Sequence, residues 1–341
     1  MMSQRVAFLD DEAALTFSVM RLSFVSLVAL ALFGCGGHER VPYAVVSPPR
    51  DWSAHPAVVE MDAPATIYAM SDVHGGYDRM VDLLVAHHVI EGRPPAPRDV
   101  RWSAGEAVFV MTGDVMDKGP SPLEAFDLLR ALEPQAIAAG GRAIFTLGNH
   151  EAEFLYDPEN DKATKADGVD HEIRAWGLRP VEVANGSDIH GKWLREQPFA
   201  ARVGAWFFAH AGNTHGRSTA DLERAIRAGV AAHDYADAVV IGADSILESR
   251  EWYSGSDSRA ASYAAAVGAR HIVFGHQPDA LGARGEIAVG FGGALFRIDC
   301  GMSPHVDDGH GRLLRIRREA GVDIAESLSP DGTVREIWQG P

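Results

Sequence analysis

Residues 65–75 read Ala-Thr-Ile-Tyr-Ala-Met-Ser-Asp-Val-His-Gly. A short run with β-forming residues stops at an Asp-x-His-Gly turn, so a buried strand is expected to deliver Asp72 and His74 at its carboxyl end. The arrangement recurs along the chain. Residues 107–112 (Ala-Val-Phe-Val-Met-Thr) run into Gly113-Asp114-Val115-Met116-Asp117-Lys118-Gly119, and residues 142–147 run into Gly148-Asn149-His150-Glu151. Farther on, residues 206–209 lead to His210-Ala211-Gly212, and residues 271–274 lead to Gly275-His276. Residues 77–89 and 122–132 carry helical patterns between the first of these strands. Strand, ligand-bearing loop and helix thus alternate, which predicts an α/β fold with a largely buried sheet and its site at the strand carboxyl ends.

One such motif could be a glycine turn with a capping Asp or a satisfied core His. Five in order make a metal centre the better reading. Alternate residues of a strand point the same way, so Asp72 and His74 can converge on one cation. Asp114 can offer one carboxylate oxygen to each of two cations, with Asn149, His210 and His276 completing the second site. Mixed carboxylate, amide and imidazole donors suit two divalent metals, Mn foremost and Fe or Zn as alternatives, with positions left for water. Such a pair can clamp phosphate oxygens during in-line displacement.

With these residues assembled, the chain resembles the calcineurin-like metallophosphoesterase superfamily, over roughly residues 66–300. Within it the phosphoprotein phosphatase branch is the nearest match. Residues 72–84 (Asp-Val-His-Gly-Gly-Tyr-Asp-Arg-Met-Val-Asp-Leu-Leu) and 299–303 (Asp-Cys-Gly-Met-Ser) look most like bacterial Shewanella-like phosphatases. The resemblance implies a two-sheet β-sandwich flanked by helices. It implies metal ligation by Asp72, His74, Asp114, Asn149, His210 and His276, with Asn149 also near the substrate. His150 would be the general acid, oriented by Asp117, and a metal-bridging hydroxide would attack phosphorus directly. Three departures stand out, one of them the acidic polar stretch that follows Gly148-Asn149-His150-Glu151 in place of the family's usual continuation. Ser71 replaces a leading glycine, and Lys118 replaces an arginine that grips phosphate, keeping the charge but losing the bidentate fork. Arg250 is the candidate for a second phosphate-binding cation.

Composition bounds the partners. The chain has 341 residues, a formal charge of −16 and 46% hydrophobic residues. So acidic a chain argues against nucleic acid as partner. A phosphorylated protein or peptide, or a small phosphate ester, fits instead. Two cysteines, Cys35 and Cys300, exclude a disulfide scaffold. Cys300 reads as a buried small residue.

Residues 20–35 read Met-Arg-Leu-Ser-Phe-Val-Ser-Leu-Val-Ala-Leu-Ala-Leu-Phe-Gly-Cys, a short apolar run behind one cation that fits a signal-peptide core. Its end resembles a bacterial lipobox with Cys35 as the lipidated residue. The expectation is translation from Met20 and a lipid-anchored protein of the cell envelope, on the outer membrane by preference, touching membrane through the anchor only. Residues 1–35 are then leader, 36–62 a tether, 63–325 the catalytic domain with a cap or long loop at 155–195, and 326–341 a C-terminal tail.

Two other readings are weighed against a phosphoserine, phosphothreonine or phosphotyrosine phosphatase. A nucleotide phosphodiesterase or dinucleotide tetraphosphate hydrolase is one. The diesterases often carry Gly-His-x-His where this chain has Gly275-His276-Gln277-Pro278, and the tetraphosphatases usually have Asp where this chain has Glu151. A metal-stabilised binding lipoprotein without turnover is the other.

Overall fold

The computed structural model describes residues 49–341 except 304, 305, 307 and 308. Cys35 and the expected leader lie outside the described residues. In chain order the first part contains β1 (Val58–Met61), β2 (Thr66–Met70), α1 (Tyr77–Ala86), β3 (Val108–Met111), α2 (Pro122–Ala138), β4 (Arg142–Phe145) and α3 (Asn149–Tyr156). The middle contains α4 (Val169–Ala175), α5 (Pro180–Ala184), α6 (Ile189–Glu196), β5 (Ala200–Val203), β6 (Trp206–Ala209), α7 (Thr219–His233) and α8 (Ala238–Ile241). The last part contains α9 (Asp257–Ala266), β7 (His271–Phe274), β8 (Ala288–Gly290), β9 (Leu295–Arg297), β10 (Leu313–Glu319), β11 (Val322–Leu328) and β12 (Val334–Gly340).

These strands form two six-stranded mixed sheets, ordered β1-β5-β6-β7-β9-β8 and β12-β11-β10-β2-β3-β4. Each contains a parallel run, β2-β3-β4 at one end of the second sheet and β6-β7-β9 in the middle of the first. Parallel strands expect cover on both faces, and the sequence supplies it. Ile67, Ala69, Val108, Val110, Phe208, Val273, Phe296 and Leu314 belong to one buried cluster spanning the two sheets. Their neighbours Met70, Phe109, Met111, Phe207, Ile272 and Phe274 belong to the other cluster, which includes the apolar faces of the helices. This two-residue alternation makes a helix-flanked sandwich, as the resemblance implied.

Two expectations about extent differ from the structure, and the form of a third segment becomes defined. Residues 58–61 of the supposed tether are β1, paired parallel with β5 from Val58↔Ala200 to Met61↔Val203. Pro56 and Pro64 bracket so short a run that it reads as irregular, and its partner is remote in sequence. The expected tail at 326–341 is instead sheet: β11 and β12 pair antiparallel around Asp331-Gly332, a dipeptide that suits a hairpin turn. The 155–195 segment is also more ordered than a loop. It holds α4, α5 and α6, with Trp193 stacked on Phe145 at 5.1 Å.

Candidate active site

The strand ends converge because their loops are stitched together by main-chain hydrogen bonds. The Asp72, His74 and Gly75 N–H groups donate to the Gly113, Asp114 and Val115 carbonyls at 3.1, 2.9 and 2.7 Å. Close approach needs glycine at particular points. A Cβ on Gly113, whose φ is +82°, would lie 2.3 Å from the Gly148 nitrogen, and one on Gly275 would lie 2.1 Å from Asp72 Oδ2.

Asp72, His74, Asp114, Asp117, Lys118 and His276 themselves have φ between 45° and 65°. Left-handed backbone costs a non-glycine residue on the order of 1–2 kcal/mol, so such a cluster persists only where its surroundings over-determine it. Glu151 does much of that. Its buried carboxylate accepts N–H bonds from Asp114, Val115 and Gly148, each at 2.8 Å, and from Met116 at 3.1 Å. No role for Glu151 was foreseen. The signal was present, since Glu three residues after a helix start is a capping pattern.

The donors form two overlapping sets, His74–Asp114–His150 and Asp114–His210–His276, whose ligand atoms within each set lie within 4.8 Å of one another. Asp114 is common to both, the place that a bridging ligand would take. Asn149 Oδ1 lies 3.0 Å from His210 Nε2, and Asp72 Oδ1 lies 4.0 Å from His74 Nε2. Hydrogen bonds fix which imidazole nitrogen is available. His74 and His210 donate from Nδ1 to the Met116 and Thr112 carbonyls at 2.9 and 2.8 Å, leaving Nε2 for a cation. His276 donates from Nε2 to the Glu248 carbonyl at 3.2 Å, leaving Nδ1.

Buried lone pairs this close call for positive charge. Burial would strip a proton from His210, yet Asp114 at 3.3 Å, with Asp72, raises its pKa to about 10. Burial opposes ionisation of Asp114 as well, but His210 and His150 hold it well below the usual carboxylate range. Burial, and then the charge on His210, pushes His276 down to about 2, so it stays a neutral donor. Burial and the neighbouring Lys118 likewise depress His74. The donor set therefore fits divalent cations by charge, atom type and tautomer.

His150 has a second partner. Its Nδ1 is 2.7 Å from Asp117 Oδ2, so Nε2 faces Asp114 Oδ2 at 3.8 Å. His150 falls in the first donor set, although the resemblance implies a proton-donor role for it. Lys118 does not reach out as a free phosphate grip: its Nζ lies 2.9 Å from His74 Nε2. Arg250 is exposed and lines the same cleft of about 560 Å³. Lys162, Lys165 and Asp167, from the segment before α4, line its other parts, so only a portion of the 155–195 segment borders the site.

Known proteins bear on this geometry. The Calcineurin-like phosphoesterase family model matches residues 65–280. Shewanella-like protein phosphatase 2 of Arabidopsis thaliana is 26% identical over 332 residues, covering 82% of each chain. An uncharacterized protein of Schizosaccharomyces pombe is 36% identical over 120 residues, and the match spans only 35% of its length. The symmetrical bis(5'-nucleosyl)-tetraphosphatase of Methylococcus capsulatus is 28% identical, with 43% of this chain and 42% of that protein covered. Among solved structures, a cold-active protein tyrosine phosphatase superposes with a TM-score of 0.65 at 21% identity, over 82% of this chain and 80% of that one, a likeness of fold. The chain belongs to the calcineurin-like phosphoesterase family and is a metallophosphoesterase, a hydrolase whose family works with divalent metals.

Proposed function

We propose that the protein is a phosphomonoesterase of the phosphoprotein phosphatase type, acting on phosphoserine, phosphothreonine or phosphotyrosine in a protein or peptide. The observation that carries this is the buried His150–Asp117 pair set against the shared ligand Asp114. Asp117 holds the Nδ1 proton, so His150 Nε2 is aimed at the reacting centre, where a proton can be given to a departing alkoxide or phenoxide. Arg250 supplies positive charge for the phosphate oxygens at the cleft wall, Lys118 adds to the positive field from its place beside His74, and Asn149 orients one of those oxygens. Two divalent cations on these ligands, Mn foremost, supply an activated water nucleophile and neutralise charge on the phosphate.

The phosphoprotein branch is favoured over the nucleotide branch because the match with the Arabidopsis phosphatase runs through 82% of the chain, whereas that with the tetraphosphatase covers 43%. The test compares kcat/KM on p-nitrophenyl phosphate, phosphopeptides, bis-p-nitrophenyl phosphate and diadenosine tetraphosphate after Mn loading. Preference for the monoester and peptides is expected. Dominant cleavage of the diester or the tetraphosphate would replace this reading with the nucleotide one, and no turnover at all would favour a binding lipoprotein.

A further inference from the structure

Both oxygens of the Asp117 carboxylate are engaged. Oδ2 holds His150 Nδ1 at 2.7 Å, and Oδ1 accepts the backbone N–H of Val169 at 2.8 Å. Val169 is the first residue of α4, remote in sequence from the strand-end loops that build the rest of the site. A carboxylate fixed at only one oxygen can rotate about its terminal torsion, which is broad. Held at both, it has one orientation, and the imidazole bonded to it inherits that orientation.

The placement of α4 has its own determinant. α2 begins after Ser121, whose side chain makes no cap, with Pro122 at the first helical position. The N–H groups of the first turn therefore need an outside acceptor. Glu172, on α4, provides one: its Oε2 accepts the Leu123 N–H at 2.7 Å, and its carboxylate also takes a bond from the Glu124 N–H. The loop carrying Asp114, Asp117 and Lys118 runs directly into that same end of α2. Glu172 thus ties α4 to the helix that follows the catalytic loop, and Val169 meets Asp117 as a consequence. A close turn completes the arrangement, with Asp170 N–H donating to the Ala163 carbonyl at 3.1 Å.

We propose that α4 is a positioning element for proton donation: Glu172 docks it on the N-terminus of α2, and the Val169 N–H then locks the Asp117 carboxylate that aligns His150. The proposal rests on the general-acid reading of His150 given above. It makes part of the 155–195 segment a component of the catalytic apparatus and not only a cover for substrate.

Leaving-group dependence tests it, because a general acid matters most when the departing oxygen is a poor leaving group. Three variants suffice: Glu172→Ala removes the tie, Glu172→Gln keeps an acceptor, and Val169→Pro deletes the N–H itself. Proline is tolerated at a first helical position, and Gly168 before it is extended, so Val169→Pro is compatible with the fold. Circular dichroism and metal content are checked first, and substrates run from p-nitrophenyl phosphate to phenyl phosphate to a phosphoserine peptide. For Glu172→Ala and Val169→Pro, kcat is expected to fall about tenfold or more on the phenyl ester and peptide but about twofold or less on the nitrophenyl ester, with KM unchanged. Glu172→Gln should recover most of the loss. An equal loss on all three esters, or none on any, overturns the proposal. His150→Asn run alongside separates the two levels. A graded loss there beside a flat loss in the α4 variants sinks only the positioning role, whereas a flat profile in His150→Asn removes the general acid and the proposal together.

Discussion

At Asp114 a single carboxylate faces three imidazoles, with Oδ1 3.3 Å from His210 and Oδ2 3.7 and 3.8 Å from His74 and His150. A residue shared in this way should fail doubly. Asp114→Asn is expected to leave less than one equivalent of metal per chain after Mn loading and desalting, measured by elemental analysis. Two sites filled to the wild-type level would refute the bridging assignment. Asp72, His74, Asp114, Asn149, His150, His210 and His276 were legible because each is a polar residue within three positions of a glycine at the end of an apolar run, a pattern confined to a few consecutive positions. Val169 and Glu172 were not legible. They act through a backbone N–H and on a helix terminus far along the chain, and neither leaves a mark in residue type. Lys118 was legible as a cation in the site, but not its approach to His74 at 2.9 Å.

Where α6 meets α2, ionisable groups do the joining. Glu133 accepts the Trp193 indole N–H at 3.1 Å on each carboxylate oxygen, and His190 sits between Asp188 and Asp127 at 2.8 and 3.1 Å. Burial lifts Glu133 to about 7, the Trp193 bond only partly opposing it. A folded-state pKa above the unfolded value means that the native chain keeps a proton the unfolded chain has lost, so stability falls as pH rises from about 4.5 to about 7. His190 has the same sign. Burial disfavours its charge, but Asp127 and Asp188 raise its pKa, so its contribution is full below the ordinary histidine pKa and is lost as pH climbs through the raised one. The seam should therefore be firmest on the acid side of neutrality. Glu133→Gln keeps the acceptor and removes the buried charge, so it is expected to stabilise by on the order of 1–2 kcal/mol at pH 8.5 and by little at pH 5. Thermal melts at the two pH values decide this, and an unchanged pH dependence would show that Glu133 is not the group. Helices α1 and α2 were readable from their periodicity, and the parallel strands from their short apolar runs. Strand β1 and the cap helices were not, because short elements owe their form to what they pack against.

Over the whole molecule, the address and the catalyst are separable questions. The apolar run at 22–33 and the Leu-Phe-Gly-Cys at 32–35 predict acylation at Cys35. Cys35→Ser should move the protein from the membrane pellet to the soluble fraction on cell fractionation with no change in turnover per molecule. Equal pelleting of variant and wild type would dismiss the anchor. Sheet partners were the least legible feature at this scale, since nothing local tells β2 that its neighbours are β3 and β10. That pairing, Ala69 with Leu314, bears on how the protein is made. The strand that presents Asp72 and His74 is enclosed on one side by a segment synthesised almost last. A nascent chain can assemble β2, β3 and β4 early, yet the first metal-binding loop has no finished wall until the ribosome has passed β10. Competence to take up metal should therefore appear late in synthesis and abruptly, and chains stopped before residue 313 should be blind to it.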